Sequence, residues 1–368
     1  MRLLHTSDWH LGRRFFGRSL RSDQEYVLDQ MFNLVRDLNP DAMVVAGDVF
    51  HQRQPNEEAL ELFHQTLNRL VNLGTTLIFL SGPTDDFKSL HLDGRWVREA
   101  GIHLIDDVTQ VLSPITLKGA RDNFEVKTWC LPYPKGGALS AGSPEHPALL
   151  GHNLVEKVVQ RLNPSEVNVL LGYAWAQDSG RQPEFGTLIQ QGGLPIERRM
   201  LEFFDVSALG GRHEPLQMGG INACYSGSLL CYEPEKEEKG RSVSFYDIAD
   251  KGQIYIDHYP LRPRRHLRVL EGSWEELMEQ GRQMRSDDLL VLRSDEKNLS
   301  SEQRADLRIL SPNVVSVELP SPFQGAEEEG EEATSPLLKD FQDFCREVGQ
   351  VQLDEESLDV LEELEQQI

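Results

Sequence analysis

The first hundred residues alternate between short apolar runs and amphipathic segments. LLHTSDWHL predicts a strand with a polar tip, and residues 23–38 place apolar side chains at helical spacing. DAMVVAGDVF is a second apolar strand, residues 56–73 a helix opened by an asparagine cap, and TTLIFLSG a third strand. After another helix and the short strand GIHLI the pattern turns β-rich, with QVLSPITLKG and FEVKTWCLPYP. A Gly/Ser/Pro loop, KGGALSAGSPEHP, and a helix near 154–162 follow. EVNVLLGYAWA, FFDVSALGG, INACYSGSLL, SVSFYDIA and QIYIDHYPL are then expected as strands. This order predicts two sheets packed face to face with helices outside, an α/β sandwich over residues 1–263.

From residue 264 the style changes. RHLRVLEG, a helix at 273–285, DDLLVLRS, a helix at 300–309 and VVSVELP predict a small separate α/β unit over 264–322. Residues 323–336 are acidic and low in complexity, as a flexible linker would be. Beyond them, residues 337–368 carry two amphipathic helical segments, with Leu337, Leu338, Phe341 and Phe344 on the first and Leu358 and Leu361 on the second. Helices this short do not hold themselves together alone. They need either a partner groove or a surface on their own chain.

Composition adjusts this outline in three places. A chain of 368 residues with 39% hydrophobic positions is long enough for two or three domains, and it has no apolar run long enough for a membrane span. The N-terminus does not have the pattern of a signal peptide, and Cys130, Cys224, Cys231 and Cys345 are scattered without a CxxC, which favours a reducing cytoplasm. Net charge is −23, but residues 327–368 hold 15 acidic against 2 basic side chains, so −13 of it belongs to the tail. A globally basic nucleic-acid binder is excluded; a local basic patch is not.

Candidate chemistry sits at strand tips. Asp8 and His10 end the first strand and share a face by strand periodicity. Asp48 ends the second, and Gly211, Arg212 and His213 end a later one. Carboxylates and imidazoles converging there would make a mixed oxygen and nitrogen site for manganese, iron or zinc. A lone histidine on a strand is more often a packed or surface residue; Asp8-x-His10 and Gly47-Asp48, forty residues apart, are harder to dismiss.

HTSDWHLG, VVAGDVF, and FDVSALGGRHEPLQ followed by CYSGS resemble the calcineurin-like metallophosphoesterases, and more narrowly the SbcD-type nuclease subunits of bacterial SbcCD complexes. The resemblance spans nearly the whole chain. It implies a four-layer α/β/β/α sandwich, a small DNA-binding α/β capping domain at 264–322, and C-terminal helices that dock on an SMC-like ATPase of the SbcC type. It also implies a homodimer, double-stranded DNA ends as substrate, and two metal ions, commonly manganese.

By resemblance the first metal's residues are all present: Asp8, His10, the bridging Asp48, and His213. The second metal's are not. The family's Gly-Asn-His-Asp stands here as Gly82-Pro83-Thr84-Asp85, so Pro83 replaces an asparagine ligand and Thr84 the histidine that assists the leaving group. Tyr173 and Gly211 stand where two histidine ligands are expected. Tyr173 would be a poor ligand near neutral pH. Asp85, Asp86 and His51 are further candidate ligands, weighed against plain loop carboxylates and a surface histidine. One divalent ion and a nuclease activity weakened or lost are therefore expected.

Beside the first motif, LGRRFFGRSLR holds Arg13, Arg14, Arg18 and Arg21 in a loop with no acid before Asp23. These residues, with Arg212, are candidate phosphate-backbone contacts, against a plain solvated loop anchored by Phe15 and Phe16. Trp9 is expected to pack beneath the site. Two alternatives stay open: an active manganese-dependent exo- or endonuclease with an altered site, and a scaffold that binds its partner without DNA.

Overall fold

The computed structural model describes residues 1–90, 97, 99–121, 124–135, 147–177, 193–234, 240–284, 287–296, 298–310 and 313–320. Contacts divide the chain into Met1–Leu319 and Pro320–Ile368. The linker at 323–336 and the helical segments bearing Leu337, Leu338, Phe341, Phe344, Leu358 and Leu361 lie outside the described residues, as does most of the expected Gly/Ser/Pro loop.

The chain opens with β1 (Arg2–Thr6), a hairpin of β2 (Arg14–Phe15) and β3 (Arg18–Ser19), and α1 (Arg21–Leu38). There follow β4 (Ala42–Ala46), α2 (Glu57–Val71), β5 (Thr76–Leu80), β6 (Ile102–Ile105), β7 (Ile115–Lys118) and β8 (Glu125–Leu131). Next come α3 (Pro147–Val159), β9 (Val167–Gln177), β10 (Leu194–Glu197), β11 (Val206–Gly210), β12 (Leu216–Met218) and β13 (Ala223–Tyr225). The long hairpin of β14 (Arg241–Asp250) and β15 (Gln253–Leu261) ends this part. The last stretch holds β16 (Leu267–Gly272), α4 (Trp274–Gln283), β17 (Leu289–Ser294), α5 (Ser301–Leu310) and β18 (Val314–Glu318).

Six strands form one sheet in the order β15-β14-β1-β4-β5-β6, and β12-β13-β11-β9-β8-β7 form a second, with β10 pairing β9. Strand periodicity explains why two sheets face each other. Along β4, Ala42, Val44 and Ala46 join Ile78, Val169, Leu171 and Ala208 in the core between the sheets. The intervening Met43 and Val45 join Val27, Met31, Phe63 and Leu67 of α1 and α2 on the outer side. A strand buried on both faces must be apolar throughout, which is why the VVA run of β4 lacks polar alternation. On the far side of the second sheet, Val155 and Val158 of α3 pack with Leu170 and Leu209. The expected α/β/β/α layering is what these three cores build.

The helix expected at 56–73 forms as Glu57–Val71, and Asn56 Oδ1 accepts the Ala59 N–H at 2.9 Å. Such a cap is worth about 1 kcal/mol. Two expected strands are shorter than their apolar patterns. INACYSGSLL is strand only at β13, because Gly227 takes φ +80° and the Ser228 hydroxyl turns back to donate to the Leu230 carbonyl at 2.7 Å. QVL of QVLSPITLKG lies in a 3-10 turn, Val108–Leu112, capped by Asp107.

The stretch from residue 264 forms a parallel three-stranded sheet, β16-β17-β18. Leu270, Trp274, Leu277, Met278, Leu290 and Leu292 make a small core of its own. Leu267, Leu289 and Val291 join the outer core of the first sheet instead. Asp23 of α1 and Arg265 form a bidentate pair at 2.8 and 2.6 Å, tying the start of this stretch to the first helix.

Candidate metal centre

Strands β1, β4 and β5 run parallel, so the loops leaving them emerge at one end of the first sheet, the usual place for chemistry in α/β proteins. Two of these loops pair with each other. The Asp8 N–H donates to the Gly47 carbonyl at 3.0 Å, His10 N–H to Asp48 O at 2.9 Å, and Leu11 N–H to Val49 O at 2.9 Å. Asp8, His10 and Asp48 take φ of 51°, 47° and 47°, a left-handed conformation costly for residues with a Cβ. Such strain at three chemistry-bearing positions points to function. It also corrects the expectation of strand periodicity: β1 ends at Thr6, and Asp8 and His10 come together because both backbones turn left-handed.

Asp8, His10 and His213 bring one ligand atom each within 4.8 Å of one another. The Nε2 atoms of His10 and His213 are 2.9 Å apart. Asp48 lies beside them, its Oδ2 3.8 Å from His10 Nε2. The Asp8 carboxylate accepts from the Ser7 hydroxyl at 2.6 Å and from the Gly211 N–H at 3.2 Å to each oxygen. His213 Nδ1 lies 2.8 Å from Oε1 of Glu233, a residue with no sequence signal of its own in CYEPEK. A carboxylate on the outer nitrogen is the usual way proteins orient a metal-binding histidine.

Burial pushes the Asp8 carboxyl up to about 7, with Asp48's charge adding to the rise against the opposing pull of His213. His10 is held well below its ordinary value, first by burial and then by the neighbouring positive groups, so it presents a neutral imidazole. For His213 burial works downward, yet the Glu233 hydrogen bond and the Asp8 charge carry it above 6.5. One carboxylate and two imidazoles, one of them pinned through its far nitrogen, form a donor set that suits a borderline divalent ion. The residues present fit one such ion.

The other expected positions behave differently. The Thr84 hydroxyl, with one proton to give, lies 2.8 Å from Asp48 Oδ1 and 2.7 Å from the Phe50 carbonyl. Tyr173, expected as a poor ligand, is a hydrogen-bond donor: its hydroxyl meets Asp48 Oδ2 at 2.7 Å. Asp85 is no surface carboxylate. It is fully buried and accepts the backbone N–H groups of Gly82, Val49 and Phe50 at 2.8, 3.2 and 2.9 Å, pinning the two loops together. Its oxygens are thereby committed, and burial first, then Asp48, pushes it up to about 7. The His51 ring stands 5.7 Å from that of His10. Trp9 is buried, donating to Thr6 Oγ1 at 3.1 Å and edge-on to Phe79, the packing role expected of it.

Of the basic candidates, Arg13 lies 4.9 Å over the Tyr232 ring and donates to its carbonyl, close enough to act on the charges of His10, His51 and His213. Arg212 adjoins His213, pairs with Glu214 at 3.2 Å, and stacks 5.6 Å over Trp175. Arg14 bonds the Gly17 carbonyl within the hairpin that also carries Arg18, and Arg21 is paired with Glu61 at 2.7 Å. Phe15 is buried and Phe16 is exposed at the hairpin turn.

The chain is 24% identical over 324 residues to the SbcD chain of the SbcCD nuclease from Staphylococcus saprophyticus, covering 86% of this chain and 84% of the relative. A dimetal phosphatase from Danio rerio superposes with a TM-score of 0.43 at 8% identity, covering 72% of this chain and 97% of that one. TT1561 of Thermus thermophilus does so at 0.40 and 12% identity, covering 71% and 99%. A family model for the calcineurin-like phosphoesterases matches residues 1–197, more than half the chain. The chain belongs to the calcineurin-like phosphoesterase family.

Proposed function

We propose that this protein is an SbcD-like nuclease-family subunit of a DNA repair complex, binding double-stranded DNA ends and an SMC-type ATPase, with its own nuclease activity weakened or lost. The extended similarity to the SbcD chain of an SbcCD nuclease supports the assignment. Thr84 carries the impairment: its hydroxyl sits between Asp48 Oδ1 and the Phe50 carbonyl, where the family resemblance calls for an imidazole that assists the leaving group. A hydroxyl cannot donate a proton near neutral pH as an imidazolium does, and that assistance is typically worth about 10²- to 10⁴-fold.

Asp8, His10 and His213 would hold one divalent ion, manganese in this reading, with Asp48 alongside. When bound, such an ion polarises a phosphoryl oxygen and lowers the pKa of water. Arg13 and Arg212 add positive charge next to the cluster for a phosphate backbone, and Arg14, Arg18 and Arg21 extend it along the hairpin and the start of α1. Residues 264–322 serve in this reading as a capping domain against DNA, and 337–368 as ATPase-docking helices. Homodimerisation and a cytoplasmic location complete the proposal. No helix among the described residues is long and apolar enough to cross a membrane.

The intact cluster of Asp8, His10 and His213, oriented by Glu233, favours as a second reading an active manganese-dependent nuclease with an altered site. A nuclease assay with manganese on linear duplex and hairpin ends, beside Asp48→Ala, separates the two. The impaired form predicts cleavage by the unaltered protein within about tenfold of that variant. A gap above about 10²-fold establishes the active enzyme instead. Duplex binding that is lost on replacing Arg13, Arg14 and Arg18 together supports the DNA role; no duplex binding by the unaltered protein makes it a scaffold.

A further inference from the structure

The carboxylate of Asp48 is already engaged by protein. Both of its oxygens are already taken, Oδ2 by the Tyr173 hydroxyl at 2.7 Å and Oδ1 by the Thr84 hydroxyl at 2.8 Å. The Tyr173 ring is buried in a slot whose two walls are glycines. A Cβ at Gly47 would stand 2.0 Å from Tyr173 Cδ2, and one at Gly211 would stand 3.2 Å from its Cζ. Gly211 has φ +93° and spends its backbone N–H on Asp8, so the chain there both holds the carboxylate and leaves the ring its room. A side chain at 211 would therefore start in tight contact with the phenol at 173.

We propose that the centre is mononuclear by construction: Tyr173 and Thr84 occupy the volume and the Asp48 oxygens that a second divalent ion would need, and Gly211 is the change that admits the Tyr173 ring. This rests on the metal reading of the cleft given above. A second ion on Asp48 would have to displace these two hydroxyls and find new ligands among a phenol, a hydroxyl and Pro83, a poor set for a divalent cation. The half-site is closed rather than vacant, so raising the metal concentration does not refill it. Reopening it requires concerted change: an imidazole at 211 alone meets the Tyr173 ring, and one at 173 alone lacks its partners.

The test counts manganese bound per full-length chain by equilibrium dialysis and records the electron paramagnetic resonance spectrum of the bound ion. We expect one ion with an uncoupled spectrum, a count still at one when free manganese is raised tenfold above saturation, and loss of that ion in Asp8→Ala. Tyr173→Phe keeps the ring and should also bind one. The combined variant Pro83→Asn, Thr84→His, Tyr173→His and Gly211→His should bind two with a coupled spectrum; should it not fold, the unaltered protein and Tyr173→Phe decide. Two ions in either of those overturn the closure while leaving the metal reading intact. No ion in the unaltered protein, or an ion that survives Asp8→Ala, overturns both.

Discussion

Nδ1 of His213 lies 2.8 Å from Oε1 of Glu233, so the imidazole turns its other nitrogen toward His10, 2.9 Å away. A carboxylate in that position fixes the ring and raises its basicity, and losing it typically costs about 10- to 100-fold in metal affinity. Glu233→Gln should therefore weaken manganese binding by roughly that factor. Its melting temperature should hardly move, because Glu233 is half exposed. Isothermal titration calorimetry checks this; unchanged affinity would remove Glu233 from the site.

Metal binding should also depend on pH with a definite sign. Ligands bind metal only when deprotonated. Asp8, pushed up to about 7 by burial and by Asp48, and His213, held above its ordinary value, both carry protons that the metal must displace. His10, held well below its ordinary value, contributes none near neutrality. Affinity should thus fall as pH drops below about 7, by roughly tenfold per unit for each proton displaced, and level off above the Asp8 and His213 values. Titrations in buffers of different ionisation enthalpy read the released protons directly. A flat profile between about pH 6 and 7 would contradict these shifts.

The Asp23–Arg265 pair makes a stability prediction. Its side chains are 3% and 18% exposed, and removing one partner of a buried pair leaves an uncompensated charge, which costs about 3–5 kcal/mol. Arg265→Ala should destabilise by that order in urea unfolding, while Asp23→Asn combined with Arg265→Met should cost less than the single change. Hydrogen exchange should rise first in β16 and β17, whose attachment begins at this pair.

A truncation after Pro322 separates the core from the tail. Met1–Leu319 holds all the described sheets and cores, so the shortened chain should fold and melt as before. In co-purification it should no longer associate with an SMC-type ATPase. Retained association would move the docking surface out of 337–368.

Much of this was legible in the sequence, and the exceptions have physical reasons. The strands β4 and β5 and the helix after Asn56 announce themselves through burial on both faces and a side-chain cap, both local signals. Asp8, His10 and Asp48 were legible as residues that should converge, but the way they do so was not. It depends on left-handed turns and on hydrogen bonds between two loops forty residues apart. Gly227 and the Ser228 hydroxyl ended a strand that the apolar pattern continued. Tyr173 could be read as an absent ligand, but not as the donor to Asp48, 125 positions away. Glu233 was invisible, since an acidic residue in a loop acquires a role only from the histidine that folding brings to it.

A crystal of the protein soaked in manganese, with data collected at the manganese absorption edge, tests the mononuclear centre most directly. A single anomalous peak per chain is expected, enclosed by Asp8, His10 and His213, with the Tyr173 hydroxyl still on Asp48. Two peaks astride Asp48 with Tyr173 displaced, or none at all, would contradict it.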